Sequence, residues 1–233
     1  MSYSALSMYI NQMLKAILFD LDGTLANTDP LHYQTWKEIL NNYGITIDNN
    51  YYKQYISGRS NAAIIQDLLP QLSTTEAEEF ANYKEAKFRE IALNLKPLTG
   101  LLEFIEWVEK QKLKKAVVTN APPENAKFML EVLQLTDTFP LVILGGVMTA
   151  GKPNPAPYQL CLEKLEISPK EAIVFEDSRS GIKSAVGAGI YTVGVASTHE
   201  PESLLEVGAS IIINDFSDEK LQQLLGSWEI SGI

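Results

Sequence analysis

The stretch Ala16-Ile17-Leu18-Phe19-Asp20-Leu21-Asp22-Gly23-Thr24-Leu25 decides the fold of this 233-residue chain. Its first four residues are all apolar, which is typical of a strand buried on both faces of a parallel sheet. Asp20 and Asp22 follow, and the alternation of an extended chain places both carboxylates on one side. Two neighbouring carboxylates repel each other, and Gly23 lets the backbone turn sharply beyond them. We therefore predict that this strand end is kept for chemistry.

The region from residue 98 onward alternates short β-rich segments with helical patterns. The predicted strands are Lys115–Thr119, Leu141–Gly145, Ala172–Phe175, Thr192–Val195 and Ser210–Ile213. The predicted helices are Leu101–Gln111, Glu124–Leu133, Ala156–Leu165, Gly181–Ala188, Pro201–Glu206 and Asp218–Leu224. Apolar strands separated by helices indicate a parallel sheet covered on both faces. With the first strand included, the sequence predicts an α/β protein with a Rossmann-like, doubly wound parallel sheet of about six strands.

Residues 29–96 differ from the rest, because helical periodicity dominates there and no buried strand is evident. The predicted helices of this region are Pro30–Tyr43, Asn49–Ile56, Asn61–Leu69 and Thr74–Leu93. The predicted organisation is an N-terminal tail at 1–13, a Rossmann-like catalytic core at 14–28 and 97–233, and an inserted α-helical cap domain at 29–96. An insertion after the first strand overhangs the carboxyl ends of the strands, where open α/β sheets bind ligands.

The overall composition narrows the class of partner. The chain has 29 acidic and 19 basic residues, a formal net charge of −10, and no block of lysine or arginine, which argues against nucleic acid and anionic membranes as partners. Hydrophobic residues make up 45% of the chain and no apolar run reaches membrane-spanning length. Cys161 is the only cysteine, so no intramolecular disulfide can form. The first 13 residues do not resemble a signal peptide. We expect a cytoplasmic protein; a monomer is compatible with the sequence, which leaves the oligomeric state open.

Three further motifs follow predicted strands or join them to helices. The hydroxyl of Thr119 and the amide of Asn120, with nearby backbone N–H groups, can hold a phosphoryl group. Lys152, the one cation in a proline-rich loop, can neutralise both a carboxylate and a transferring phosphoryl group. Glu176 and Asp177 form a second acidic pair. Taken singly, the polar pairs are explained by helix capping and the lysine by surface exposure. Their convergence on one sheet edge favours chemistry.

The acidic residues of these motifs fit a magnesium site, because Mg²⁺ prefers oxygen ligands and keeps several waters. Asp20, the backbone carbonyl of Asp22 and Asp177 would bind the ion, with Glu176 acting through water. One carboxylate can attack phosphorus, and a second can protonate the leaving oxygen and later activate water. The sequence has neither a P-loop nor a Gly-x-Gly-x-x-Gly fingerprint, which disfavours a P-loop NTPase or a dinucleotide enzyme.

These motifs, in this order and over about residues 14–225, resemble those of the haloacid dehalogenase-like phosphotransferase superfamily. The helical insertion resembles the small cap of the subfamily that contains β-phosphoglucomutase and many sugar-phosphate phosphatases. The resemblance implies that Asp20 is the nucleophile, which forms an aspartyl-phosphate, and that Asp22 is the general acid and then the general base. It also implies that the phosphoryl group is bound by Thr119, Asn120 and Lys152, and Mg²⁺ by Asp20, Asp22, Glu176 and Asp177.

Substrate choice is expected to depend on the cap. His32 lies in a segment that resembles the start of the cap in β-phosphoglucomutase-like proteins, where it could bond a substrate hydroxyl or assist proton transfer. The segment Ser57-Gly58-Arg59 resembles the cap loop that enters the active site in this subfamily. Gly58 would permit a close backbone approach, and Arg59 could reach substrate oxygens. The plainer alternatives are a partly buried helix histidine and an exposed arginine in a turn.

Two enzyme classes share all the core residues. The mutase pattern places a lysine shortly before the loop arginine, whereas here Lys53 is displaced. The loop Lys152-Pro153-Asn154-Pro155-Ala156-Pro157-Tyr158 looks closer to the sugar-phosphate phosphatases. We therefore predict magnesium-dependent hydrolysis of small sugar or polyol phosphates through an aspartyl-phosphate. The alternatives are a β-phosphoglucomutase-like mutase and a non-catalytic phosphosugar-binding protein, although the full set of core residues argues against the latter.

Overall fold

The computed structural model describes residues 13–230 and divides them into two compact units. The larger unit contains residues 13–27 and 96–230, and the smaller unit is Thr28–Leu95. The predicted tail at residues 1–13 lies outside the described residues, except for Met13, which begins a strand. The chain therefore leaves the larger unit soon after its first long strand and returns to it at residue 96.

The larger unit is built around a parallel sheet. Its strands in chain order are β1 (Met13–Leu14), β2 (Ala16–Phe19), β3 (Lys114–Thr119), β4 (Val142–Leu144), β5 (Ala172–Glu176), β6 (Tyr191–Val195), β7 (Ile211–Ile213) and β8 (Glu229–Ile230). Six of them form one sheet in the order β4-β3-β2-β5-β6-β7, and every neighbouring pair is parallel. β2 lies at the centre of this sheet, between β3 and β5. The predicted α/β fold with a parallel sheet is confirmed.

Helices separate the strands of the larger unit and form most of the smaller one. In the smaller unit they are α1 (Asp29–Asn41), α2 (Asn49–Tyr55), α3 (Asn61–Leu68) and α4 (Thr74–Ile91). In the larger unit they are α5 (Leu101–Lys110), α6 (Pro123–Val132), α7 (Ala156–Leu165), α8 (Arg179–Gly187), α9 (Pro201–Leu205) and α10 (Glu219–Leu225). The sequence did not predict the short parallel pair of β1 with β8, because strands of two residues carry no readable pattern.

Both faces of the central strands are buried, which fixes the residues at their carboxyl ends. On one face, the rings of Phe19 and Phe175 stack at 5.7 Å, and Phe104 of α5 meets Phe175 edge-on at 5.1 Å. Leu18 and Val174, each one residue earlier on the same two strands, belong to a separate core cluster. Successive side chains of β2 point to opposite faces of the sheet. Since both faces are covered, every residue of β2 is buried.

The smaller unit has its own apolar core. Trp36 of α1 stacks on Phe80 of α4 with ring centroids 6.0 Å apart, within a cluster drawn from all four helices. Capping side chains define where the helices begin: Asp48 accepts from the backbone of α2, and Ser73 and Glu76 form a capping box at the start of α4. None of the helices between residues 13 and 230 combines the length and the apolar composition needed to cross a bilayer.

Candidate active site

Asp20 and Asp22 lie where the central strand of the sheet ends. The backbone N–H of Asp20 donates to the carbonyl of Phe175 with an N···O distance of 3.0 Å, which extends the pairing of β2 with β5 beyond Phe19. Asp20 is buried, and Asp22 is half-buried in the turn that follows. Because parallel strands end at the same edge of a sheet, Asp20 shares this edge with Thr119 at the end of β3 and with Glu176 at the end of β5.

Gly23 brings this turn against the second acidic pair. Its φ of +80° lies in the left-handed region that favours glycine, and its N–H donates to the carbonyl of Ala26 at 2.8 Å. A Cβ atom at this position would lie only 2.1 Å from Oδ2 of Asp177. The hydroxyl of Thr24 lies 3.5 Å from the other oxygen of Asp177. The turn therefore packs directly on the Asp177 carboxylate, and only glycine permits this approach.

Lys152 joins the two acidic pairs. Its Nζ lies 2.6 Å from Oδ1 of Asp20 and 2.5 Å from Oε1 of Glu176. The lysine side chain is only 4% exposed, and that of Glu176 is fully buried. Charge-assisted hydrogen bonds of this kind are short and strong, and removal of one partner of a buried pair is strongly destabilising. The arrangement holds an ammonium group in contact with Asp20.

The Asn120 side chain fixes the backbone of Lys152. Its amide Nδ2 donates to the carbonyl of Lys152 at 3.0 Å, and its Oδ1 accepts the N–H of Lys152 at 3.0 Å. The hydroxyl of Thr119, a buried residue, accepts the N–H of Ala121 at 2.9 Å. The structure thus brings the second and third motifs together and gives Asn120 a positioning contact that the sequence did not reveal.

Glu176 is enclosed on several sides. Its Oε1 accepts hydrogen bonds from Lys152 and from the hydroxyl of Tyr158, the latter at 2.7 Å. Its other oxygen lies 3.5 Å from the hydroxyl of Ser178. A Cβ atom at Gly181, in the first turn of α8, would lie 1.9 Å from the Glu176 carboxylate. The absence of a side chain at Gly181 therefore leaves the space that the Glu176 carboxylate occupies.

Three carboxylates of the site could together hold a metal ion. One oxygen from each of Asp20, Glu176 and Asp177 can be chosen so that all lie within 4.8 Å of one another, and all three residues are buried. Lys152 supplies one positive charge to this trio. Because buried charges need compensation and hard divalent cations prefer carboxylate oxygens, the trio fits a divalent cation. The predicted contribution of Asp22 is through its backbone carbonyl and lies outside this set of side chains.

The electrostatics of the trio show the same need for positive charge. Burial, reinforced by Glu176, raises the pKa of Asp20 to about 7. Burial, with Asp20 and Glu176, raises the pKa of Asp177 well above its usual value. Burial alone lowers the pKa of Lys152, but Asp20 and Glu176 together raise it above its ordinary value. Lys152 therefore stays charged, whereas Asp20 and Asp177 resist ionisation until more positive charge is present.

The sequence-predicted residue His32 lies in the smaller unit. Its Nδ1 is 3.0 Å from Nζ of Lys84, and its ring stacks on Phe88 at 4.1 Å. Lys84 is 3% exposed and also donates to Glu85 at 2.9 Å, while Asn61 donates to the same Glu85 oxygen at 2.6 Å. Lys84 and His32 outweigh the effect of burial and lower the pKa of Glu85. His32 is thus part of a buried polar network within the helical unit.

The predicted cap residues Gly58 and Arg59 form a turn in the same unit. Gly58 has a φ of +74°, as a tight turn of this kind requires. The Arg59 guanidinium bonds Asp67 at 2.6 Å and the carbonyl of Tyr55 at 2.9 Å, and it is partly exposed. The structure therefore gives Arg59 an intramolecular partner, and its predicted contact with substrate stays a prediction.

The sequence missed two residues next to the trio. Tyr158 lies six positions after Lys152, and the pattern of α7 explains it equally well as a core residue. Thr198 hydrogen-bonds Oδ2 of Asp177 through its hydroxyl, but it lies in a polar loop after β6 with no motif around it. A signal for Tyr158 existed in its spacing from Lys152, since a loop residue and the first turn of the next helix are close in space.

The sequence matches a known family over most of its length. The family described as haloacid dehalogenase-like hydrolase matches residues 17–195. A phosphorylated carbohydrates phosphatase of Thermotoga maritima is 31% identical over 204 residues, which cover 86% of this chain and 94% of that protein. The β-phosphoglucomutase of Bacillus subtilis is 25% identical over 225 residues, covering 93% and 96% of the two chains.

Solved structures have the same fold. A crystal structure of a HAD hydrolase, family IA, variant 3, from Entamoeba histolytica superimposes with a TM-score of 0.84 at 28% identity, covering 92% of this chain and 99% of that chain. A β-phosphoglucomutase structure from Clostridium difficile gives a TM-score of 0.80 at 23% identity, covering 92% and 97%. The second similarity is one of fold alone.

Proposed function

The chain belongs to the haloacid dehalogenase-like hydrolase family and is an enzyme of its phosphatase type, and from that premise we propose that it hydrolyses small sugar or polyol phosphates with Mg²⁺ through an aspartyl-phosphate on Asp20. One observation carries the proposal: Lys152 bonds Asp20, which is itself one of three buried carboxylates that could hold a metal ion. Named relatives support the substrate class, since they include the carbohydrate phosphatase of Thermotoga maritima and a fructose-1-phosphate phosphatase of Escherichia coli.

The proposed reaction has two steps that share Asp20 and Asp22. In the first, a carboxylate oxygen of Asp20 attacks phosphorus, the bond from phosphorus to the ester oxygen breaks, and Asp22 gives its proton to the leaving alcohol. In the second, Asp22 takes a proton from water, the water oxygen attacks phosphorus, and the bond from phosphorus to Asp20 breaks. Phosphate leaves, Asp20 is a carboxylate again, and Asp22 is protonated for the next cycle.

The surrounding residues hold the reacting groups in place. Lys152 lies against Asp20 and supplies positive charge where the transferring phosphoryl group would gather negative charge. Asn120 fixes the Lys152 backbone, and the hydroxyl of Thr119 lies at the same strand edge as a donor for a phosphoryl oxygen. When bound by the acidic trio, Mg²⁺ would neutralise charge on the carboxylates and the phosphoryl oxygens.

A mutase is the second candidate, since the Bacillus subtilis β-phosphoglucomutase is among the similar proteins. A mutase must hold a second phosphate group, and Arg59 of the cap could serve that site. Its guanidinium is engaged by Asp67 and by backbone carbonyls within the helical unit. Arg59 would have to give up these partners to bind a second phosphate group, a rearrangement that hydrolysis does not require.

The experiment that tests the proposal measures phosphate release from a panel of sugar, polyol and nucleotide phosphates with Mg²⁺. Wild-type protein should release phosphate, and Asp20→Asn should lose at least about 10³-fold in kcat because the nucleophile is gone. Asp137→Asn, which changes an exposed aspartate of the same unit, serves as the control and should match wild type. Conversion of glucose 1-phosphate to glucose 6-phosphate without release would favour the mutase, and undiminished turnover in Asp20→Asn would exclude Asp20 as the nucleophile.

A further inference from the structure

Tyr158 makes a polar contact deep in the larger unit. It lies in the first turn of α7, and its side chain is completely buried. Its hydroxyl donates to Oε1 of Glu176 at 2.7 Å. Nζ of Lys152 lies 2.5 Å from that same oxygen and 5.3 Å from the centroid of the Tyr158 ring. One carboxylate oxygen thus accepts two donors, and one of them also contacts Asp20.

The rest of the Tyr158 environment gives no reason for a hydroxyl. The side chain belongs to an apolar cluster with Val118, Ile143 and Cys161 on one face of the sheet. Phenylalanine would fill nearly the same volume, and burial of a hydroxyl is costly unless it is hydrogen-bonded. The contact that distinguishes tyrosine from phenylalanine at this position is therefore the one with Glu176.

We propose that Tyr158 is a positioning residue for the reaction: by holding Glu176, it keeps the Lys152 ammonium aligned on Asp20. This inference rests on the proposed function, because it assigns Lys152 to phosphoryl transfer. With the hydroxyl present, Oε1 of Glu176 is shared between two donors, and Lys152 divides its contacts between Glu176 and Asp20. Without it, one of the contacts that fix Oε1 of Glu176 is lost, so the carboxylate can rotate and draw the ammonium, which it holds at 2.5 Å, away from the nucleophile.

Tyr158→Phe removes the hydroxyl and leaves the ring, so it tests the proposal with little change in packing. Because small misplacements of catalytic groups have large effects on rate, kcat should fall about 10-fold or more. KM should change less than about threefold, because Lys152 remains charged in the site. Tyr191→Phe is the matched control: Tyr191 is also a buried tyrosine of the larger unit, but it begins β6 and so lies at the amino ends of the strands, away from the carboxyl ends that carry Asp20 and Glu176. Its kcat should equal that of wild type.

A second measurement makes the test independent of turnover. Crystal structures of wild type and Tyr158→Phe should show the distance from Lys152 Nζ to Asp20 Oδ1 lengthened in the variant, with the backbone of β2 and β5 unchanged. An unmoved Lys152 would overturn the proposal whatever the activity, and so would wild-type kcat in a variant whose lysine has moved. If Tyr158→Phe does not fold, Tyr158→Met, which also removes the hydroxyl and fills the site with a flexible apolar side chain, must show the same displacement and the same fall in kcat. Wild-type protein that hydrolyses no ester would overturn the proposed function instead, and the displacement of Lys152 would still decide whether Tyr158 holds it.

Discussion

Each unit of the protein contains a buried lysine, and the two differ in their partners. Lys152 of the larger unit lies between Asp20 and Glu176, both buried carboxylates. Lys84 of the helical unit has one carboxylate partner, Glu85, and otherwise faces the His32 ring nitrogen and the aromatic faces of neighbouring rings.

The difference separates a reactive site from a structural one. Around Lys152 three carboxyl groups share one cation, so their full ionisation needs the further positive charge that a metal ion would bring. Around Lys84 one lysine meets one glutamate, and Asn61 supplies a further hydrogen bond, so the charges balance without an added ion. We infer that the first lysine serves mainly activity and the second mainly stability.

The largest expected effect is on activity at Lys152. Lys152→Met removes the cation in contact with Asp20 and should lower kcat about 10²- to 10³-fold, the usual loss for one electrostatic contact in a transition state. Steady-state phosphate release with Mg²⁺ measures it. Lys164→Met, an exposed lysine on α7, should behave as wild type. A wild-type kcat in Lys152→Met would show that this lysine has no role in catalysis. The contrast between the two buried lysines would then no longer hold.

The next effect is on stability at Lys84. Lys84→Met removes the buried ammonium that hydrogen-bonds Glu85 at 2.9 Å, which should lower the free energy of unfolding by about 3 kcal/mol. Urea denaturation measures this loss when it is followed by Trp36 fluorescence in a background that carries Trp107→Phe and Trp228→Phe. Lys87→Met, on the same helix but partly exposed and paired with exposed Glu90, should cost less than about 1 kcal/mol. Equal losses in the two variants would show that the buried network adds no stability.

The sequence predicted one of these regions far better than the other. Two of the site residues, Asp20 and Glu176, lie where buried strands end, and Lys152 lies in a proline-rich loop. Because the strands of a parallel sheet end at one edge, the sequence pattern and the topology together predict that these residues lie near one another. The structure brings them into contact. In contrast, Lys84 and Glu85 lie within a helix rich in charged residues, where the pattern is typical of a solvated face.

Contacts between residues far apart in the sequence could not be predicted, even where the spacing of Tyr158 from Lys152 hints that the two lie close together. The contact of Tyr158 with Glu176 spans 18 positions, and that of Asn61 with Glu85 spans 24. Neither contact follows a helix or strand repeat, so each requires the tertiary fold before it can be seen. The strand pair of Met13–Leu14 with Glu229–Ile230 was missed because two-residue strands are too short to show an alternation.

The smallest expected effect is a pH-dependent shift in melting temperature. The effect of pH on stability has opposite signs for Asp20 in the larger unit and Glu85 in the helical unit. Burial raises the pKa of Asp20 from 3.8 to about 7. Without metal, and between these two pH values, Asp20 is therefore protonated in the folded protein but ionised in the unfolded chain. The free energy of unfolding should therefore decrease as the pH rises through this interval. Glu85 has a lowered pKa, so its contribution is present above pH 4.5 and is lost only as the pH falls below that value.

Thermal melts at pH 6 and pH 8, with EDTA or with saturating Mg²⁺, measure this effect. Mg²⁺ requires ionised carboxylates, so it should raise the melting temperature more at pH 8 than at pH 6. At each pH, the melting temperature should rise by about 2–4 °C for every kcal/mol by which Mg²⁺ binding stabilises the fold. Asp20→Asn should lose both the Mg²⁺ response and the part of the pH slope that comes from Asp20, whereas Lys84→Met should keep both despite its lower stability. A Mg²⁺ response that survives in Asp20→Asn would place the cation elsewhere, because Asp20 provides one of the three buried carboxylates that fit it.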